Sequence, residues 1–150
     1  RVFLLILHFM TIIFDFNRTI FDPETNALMP SALEALELFK SEGIEMHLVS
    51  KLEAGREDAL EMLGVGDFFT TKAFVEDKEE AMRVLIENAK EPVYVVGDYL
   101  HNEIRIGNKF GARTVWFKRG RFSELMPETE YDIPWRTIED LKHLPTLILD

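Results

Sequence analysis

The chain has 150 residues, 47% of them hydrophobic, enough for one domain with a buried core. Its 17 Lys and Arg against 27 Asp and Glu give a net charge of −10, which repels polyanions and argues against nucleic acid as a partner. With no cysteine, a disulfide framework, a thiolate zinc site and a cysteine nucleophile are excluded, and a reducing, cytoplasmic setting is expected.

The run from Arg1 to Phe14 is the one strongly apolar stretch. It is shorter than the roughly 20 residues of a membrane span, His8 interrupts it, and it leads into Asp15, Asn17 and Arg18 rather than a small-residue cleavage site. No membrane partner is expected. Met10 can serve as a natural start, so residues 1–9 read as an apolar extension and residues 10–150 as one domain. A first strand falls at Thr11–Phe14. Pro30 suits the first turn of a helix in which Ala32, Leu33, Leu36 and Phe39 form an apolar stripe, stopped by Gly43.

A second strand is predicted at Met46–Val49, followed by a helix from Glu53 to Leu63 that ends at Gly64. A weaker strand lies near Phe69–Thr71. Asp77 can cap a helix whose buried stripe is Ala81, Met82, Leu85 and Ala89. Then come a strand at Val93–Val96, a helix from Asn102 to Phe110 closed by Gly111, and a strand at Thr114–Phe117. A weak strand near Tyr131–Ile133 and a capping pair, Thr137 with Asp140, precede a short final helix. The strands lack polar alternation, as strands covered on both faces do. The alternation of strands and helices predicts an α/β fold: three layers, Rossmann-like, with a mainly parallel sheet flanked by helices.

In such sheets ligands bind beyond the carboxyl ends of the strands. Three segments follow strands there: Asp15-Phe16-Asn17-Arg18-Thr19, Ser50-Lys51, and Gly97-Asp98 with Asn102-Glu103 shortly after. Two carboxylates, a hydroxyl and an ammonium converging on one edge suit a divalent cation and a phosphate.

These segments resemble the motifs of the haloacid dehalogenase-like (HAD) superfamily. Its Asp-x-Asp-x-Thr stands here as Asp15-Phe16-Asn17-Arg18-Thr19, and its strand-ending Ser or Thr as Ser50. Its lysine ahead of a helix is best matched by Lys78, with Lys72 and Lys51 as competitors. Its Gly-Asp with a further acid stands as Gly97-Asp98 with Glu103. Each motif alone is weak, but four in order, each at a strand end or helix start, are specific together. The resemblance extends from Met10 over nearly the whole chain. It implies that Asp15 is the nucleophile of an aspartyl-phosphate mechanism. It further implies Mg²⁺ held by Asp15, Asp98 and the Asn17 main-chain carbonyl, with Glu103 in support. Ser50 would bind a phosphoryl oxygen, Lys78 would neutralise charge, and Thr19 would fix the first motif.

One departure stands out. The second acid of the first motif, the family's general acid and base, is Asn17 here, and a carboxamide does not titrate near neutrality. General acid–base catalysis contributes about 10²–10⁴-fold. The resemblance therefore implies either a slow phosphatase that favours good leaving groups, such as acyl or aryl phosphates, or a quenched phosphate- or partner-binding protein. His101 and Glu103 are the nearest candidates to replace the acid.

The intervals from Asp15 to Ser50 and from Ser50 to Lys78 are too short for a cap domain. An open site suits a bulky phosphorylated substrate, or shielding by a second copy of the chain in which residues 2–9 pack. A receiver domain also pairs an Asp with Mg²⁺, but its acceptor follows a central strand rather than the first. His8 and His47 read as core or edge residues, His143 as solvated, and Trp116 and Trp135 as packing.

Overall fold

The computed structural model describes residues 9–150. The expectations for His8, and for packing through residues 2–8, lie outside them. In chain order, β1 (Thr11–Phe14) leads into a small antiparallel hairpin, β2 (Phe21–Asp22) with β3 (Ala27–Leu28), and then α1 (Ala32–Ser41). There follow β4 (Glu45–Lys51), α2 (Arg56–Leu63), β5 (Thr71–Val75), α3 (Lys78–Asn88) and β6 (Val93–Gly97). After a π-helical turn at Leu100–Ile104 come α4 (Arg105–Lys109), β7 (Arg113–Phe117), β8 (Arg136–Ile138) and α5 (Leu144–Leu149).

The main sheet has the order β5-β4-β1-β6-β7-β8, and every neighbouring pair is parallel. The three-layer arrangement follows from the pleat, since successive side chains leave a strand on opposite faces. Ile12, Phe14, Leu48 and Val96 join Leu36, Phe39, Leu60 and Leu144 from α1, α2 and α5. Ile13, Val49 and Val95 meet Met82, Ile86 and Ile106 from α3 and α4 on the other face. Both faces of the central strands are thus dry, which is why they read as unbroken apolar runs. Among the described residues no second domain interrupts this sheet.

The chain runs outward from β1 to β4 and β5, then returns to place β6 on the other flank of β1. That reversal opens a crevice at the carboxyl ends of β1 and β6.

Several local expectations are corrected. The hairpin β2–β3 was not foreseen; both its strands are too short to leave a periodic signal. Leu33 is exposed, and α1 buries Ala32, Ala35, Leu36 and Phe39 instead. In α3 the buried side chains are Met82 and Ile86, with Ala81, Leu85 and Ala89 only partly covered. The strand expected near Phe69–Thr71 begins at Thr71, because Phe69 turns into the core edge-on to Phe14. Tyr131–Ile133 is no strand: Glu130–Asp132 forms a 3₁₀ turn closed by the reciprocal Thr129–Asp132 capping box, and the edge strand is β8. Thr137 lies within β8, and Asp140 alone caps the next turn, accepting from Lys142 N at 2.9 Å.

Candidate active site

Phe14 stands opposite Val96, so the residues that follow β1 and β6 emerge side by side. Asp15 N donates to Val96 O at 3.0 Å, carrying the pairing one residue beyond the strand. The chain then coils tightly. The Phe16 carbonyl accepts from the N–H groups of Thr19, Ile20 and Phe21, and Arg18 takes a left-handed conformation with φ of 64°.

Asp15, Asp98 and Glu103 each bring a carboxylate oxygen within 4.8 Å of the others, and all three are buried. Lys78, the first residue of α3, donates from Nζ to Asp15 Oδ1 at 2.6 Å and to Glu103 Oε2 at 3.2 Å. Thr19 Oγ1 donates to Asp15 Oδ2 at 3.3 Å, so both Asp15 oxygens are oriented. Glu103 is held a second time by the Tyr99 N–H, which donates to Oε1 at 2.9 Å. It reaches there because Gly97 has no side chain: a Cβ at position 97 would lie 2.1 Å from Glu103 Cγ. Trp116 Nε1 donates to the Asp98 carbonyl at 2.9 Å and fixes that residue from the neighbouring strand.

The charges do not balance. Three buried carboxylates face two cations, Lys78 and Arg18, and Arg18 Nε stays 3.5 Å from Asp98 Oδ2 with neither atom hydrogen-bonded. Burial first, then the Glu103 and Asp15 carboxylates, push Asp98 up to about 9, with Arg18 acting in the opposite sense. Burial and Asp15 likewise raise Glu103, against the pull of Lys78. Burial alone would lower Lys78, but the Asp15 and Glu103 carboxylates outweigh it and hold its ammonium firmly protonated. An orphaned buried carboxylate oxygen at the centre of an acidic triad is the arrangement that a hard divalent cation completes, so these residues fit Mg²⁺.

Asn17 lines the same cleft, about 820 Å³ in volume, as do Asp15, Lys78, Asp98 and Glu103. Its side chain makes no hydrogen bond among the described residues. Ser50 is fully buried near the end of β4; it donates to the Lys51 carbonyl at 3.2 Å and accepts from Arg56 Nη1 at 3.3 Å. Of the competing lysines, Lys51 lines the cleft without reaching Asp15, and Lys72 borders a separate cleft with Glu57, Asp58 and Glu61. His101 also lines the cleft, with its ring nitrogens engaged: Nε2 contacts the Met126 carbonyl at 2.9 Å and Nδ1 lies 3.5 Å from Glu128. Neither His101 nor Glu103 is therefore a free base. His47, bonded to Thr71 and Glu45, is structural.

Sequence reasoning missed Arg56, Arg18, Tyr99 and Phe122. Arg56 carried a signal, since a cation in the first turn of a helix opposes the dipole and calls for another partner. Phe122, far along the chain, carried none.

Residues 71–144 match the model of the HAD-hydrolase-like family. No curated protein sequence matches the chain. Among solved structures, a haloacid dehalogenase-like family hydrolase from Xanthomonas campestris superposes with a TM-score of 0.72 at 11% identity, covering 93% of this chain and 90% of that one. D,D-heptose 1,7-bisphosphate phosphatase from B. bronchiseptica, complexed with magnesium and phosphate, gives 0.69 at 14% identity, over 93% and 98%. A predicted phosphoglycolate phosphatase from Haemophilus somnus gives 0.64 at 18% identity, over 80% of this chain and 56% of that one. At such identities the likeness speaks for the fold. Among the described residues no helix is long and apolar enough to cross a membrane.

Proposed function

We propose, from a fold similar to that of haloacid dehalogenase-like hydrolases and the match of residues 71–144 to the HAD-hydrolase-like family, that the chain is a Mg²⁺-dependent phosphohydrolase whose nucleophile is Asp15. The observation that carries this reading is the buried cluster in which Lys78 reaches Asp15 at 2.6 Å beside Asp98, whose Oδ2 has no hydrogen-bond partner.

A divalent cation held by Asp15, Asp98, the Asn17 main-chain carbonyl and, directly or through water, Glu103 would offset the repulsion between a phosphoryl group and the nucleophile. The rest belongs to the chain's own side chains. Lys78 and Thr19 hydrogen-bond the two oxygens of the Asp15 carboxylate and keep it aimed. Asp15 attacks phosphorus, and Lys78 takes up charge as the bond forms. Ser50, hydrogen-bonded by Arg56, would bind a phosphoryl oxygen. Asn17 cannot donate a proton to the leaving oxygen or take one from the attacking water, so good leaving groups are favoured and the aspartyl-phosphate persists. The open cleft suits a phosphorylated substrate of some bulk.

A second reading is supported by the same Asn17: turnover is quenched, and the site binds phosphate or a phosphorylated partner. Hydrolysis of an aryl phosphate with and without Mg²⁺ separates the two. For the enzyme, wild type turns over with Mg²⁺, Asp15→Asn does not, and a burst of about one equivalent of phenol precedes the steady state. For the quenched protein, wild type stays near background and Asn17→Asp gains activity. If all three proteins match buffer while Mg²⁺ still binds, hydrolysis is refuted.

A further inference from the structure

We infer that the turn after β7 builds a second anion subsite beside the phosphoryl position, so that the leaving group of the substrate is itself an oxyanion, a phosphate or a carboxylate. The inference rests on the phosphohydrolase reading and names its substrate class.

Tyr99, next to Asp98 in sequence, stacks on Phe122 with ring centroids 3.9 Å apart and planes 4° from parallel. The guanidinium carbons of Arg18 and Arg121 each lie 5.3 Å from the centre of the Phe122 ring. All four residues line the cleft that holds Asp15. Of the other cations there, Lys78 is paired with Asp15 and Glu103, Arg56 with Glu53, and Arg105 with Asp132 and Glu128, while Lys51 is exposed and makes no contact with this aromatic pair. Arg121 pairs with no carboxylate among the described residues, and Arg18 approaches Asp98 without hydrogen-bonding it. On a chain of net charge −10, two such guanidinium groups braced on one aromatic pair are matched to an anion. Bracing on a ring fixes the planar fork, so less freedom is lost when it takes an oxyanion with two hydrogen bonds.

This subsite answers the deficiency at Asn17. As the bond from Asp15 to phosphorus forms, the bond from phosphorus to the leaving oxygen breaks, and that oxygen keeps the electron pair. A phosphate or carboxylate departs stably in this form with no proton supplied. The arginines stabilise its charge, which is the service a general acid gives an alkoxide.

The test is calorimetric titration of the whole protein in excess Mg²⁺ with four non-hydrolysable probes: methylphosphonate, phosphonoacetate, imidodiphosphate and phenylphosphonate. In wild type, imidodiphosphate or phosphonoacetate binds about tenfold or more tighter than methylphosphonate, and whichever gains more identifies phosphate or carboxylate as the leaving group. Arg121→Ala erases most of that ratio, Arg121→Lys retains part of it, and Arg121→Glu reverses it. Arg121 is exposed, so these variants keep the fold. An unchanged ratio in Arg121→Ala, or no wild-type preference for either anionic probe, overturns the subsite while leaving the phosphohydrolase reading intact. A gain by phenylphosphonate alone makes the occupant a ring and also overturns it. If none of the four probes binds, the phosphoryl site itself is refuted, and both proposals fall together.

Discussion

Asp98→Asn should make the metal-free protein more stable while abolishing its response to Mg²⁺. Asp98 is 3% exposed, its Oδ2 has no hydrogen-bond partner, and burial with two carboxylate neighbours pushes it up to about 9. An acid raised above its unfolded value of 3.8 contributes least above that value: stability is greatest below pH 4 and falls as pH rises toward 9. At pH 7 the unfolded chain is about three pH units past its midpoint, so folding must take up a proton at a cost of up to about 4 kcal/mol. The isosteric amide removes that requirement. For a chain of this length, up to about 4 kcal/mol corresponds to roughly 8–16 °C in Tm. Thermal unfolding in EDTA at pH 5, 7 and 9 reads this directly: wild type loses Tm as pH rises and Asp98→Asn loses less. Adding Mg²⁺ raises the wild-type Tm and leaves the variant unmoved. A variant less stable than wild type in EDTA at pH 7, or equal Mg²⁺ shifts in both proteins, would refute the argument that this carboxylate is held for a cation.

Because the cation must displace a proton held by the acidic cluster, Mg²⁺ affinity should climb with pH up to about 9, with proton release at pH 7 visible as buffer-dependent heat in calorimetry. Gly97→Ala drives a methyl group into Glu103; an overpacking cost of about 1–3 kcal/mol and weaker Mg²⁺ binding are expected, by urea unfolding and titration. Arg105 and the Glu128 and Thr129 N–H groups hold Asp132 well below the usual carboxylate range. Its contribution is therefore present above pH 4 and lost as pH falls through its depressed value, so hydrogen exchange in residues 126–133 should quicken in acid and in Asp132→Asn at neutral pH. Asn17→Asp should speed steady-state phosphate release from alkyl phosphates by about 10²–10⁴-fold in a phosphate-release assay.

What could be read in advance divides along physical lines. Four of the six sheet strands announce themselves because both faces are dry; β5, shifted by the inward turn of Phe69, and β8, a three-residue edge with two exposed positions, do not. Asp15 and Asp98 were legible because position after a buried parallel strand dictates their edge, and Lys78 because Asp77 starts its helix with a side-chain cap on Glu80 N. Arg18, Tyr99 and Phe122 were not legible as a group. Their meeting depends on a left-handed turn at Arg18 and on the path of the long β7–β8 connection, and neither leaves a periodic signal. Trp116 looked like packing and does pack, but its indole N–H also anchors the Asp98 backbone, a contact that only register can reveal.

The two halves of the proposed reaction make unequal demands on these residues. Attack by Asp15 needs charge to be neutralised and atoms to be aligned: Lys78 and a cation held by the acidic cluster would supply the first, and the Lys78 and Thr19 hydrogen bonds the second. Hydrolysis of the resulting acyl phosphate needs a base beside the incoming water, and the groups that could serve are committed elsewhere. His101 has turned its ring toward Met126 and Glu128, and Glu103 is clamped between Lys78 and the Tyr99 N–H. Freeing Glu103 would cost contacts that hold the site together, and the His101 ring nitrogens are engaged by Met126 and Glu128. The first step can therefore outrun the second, and the phosphorylated protein becomes the state that accumulates. It follows that the ratio of the two rates, read as burst amplitude against steady-state slope, should respond to Asn17→Asp far more in the slope than in the burst.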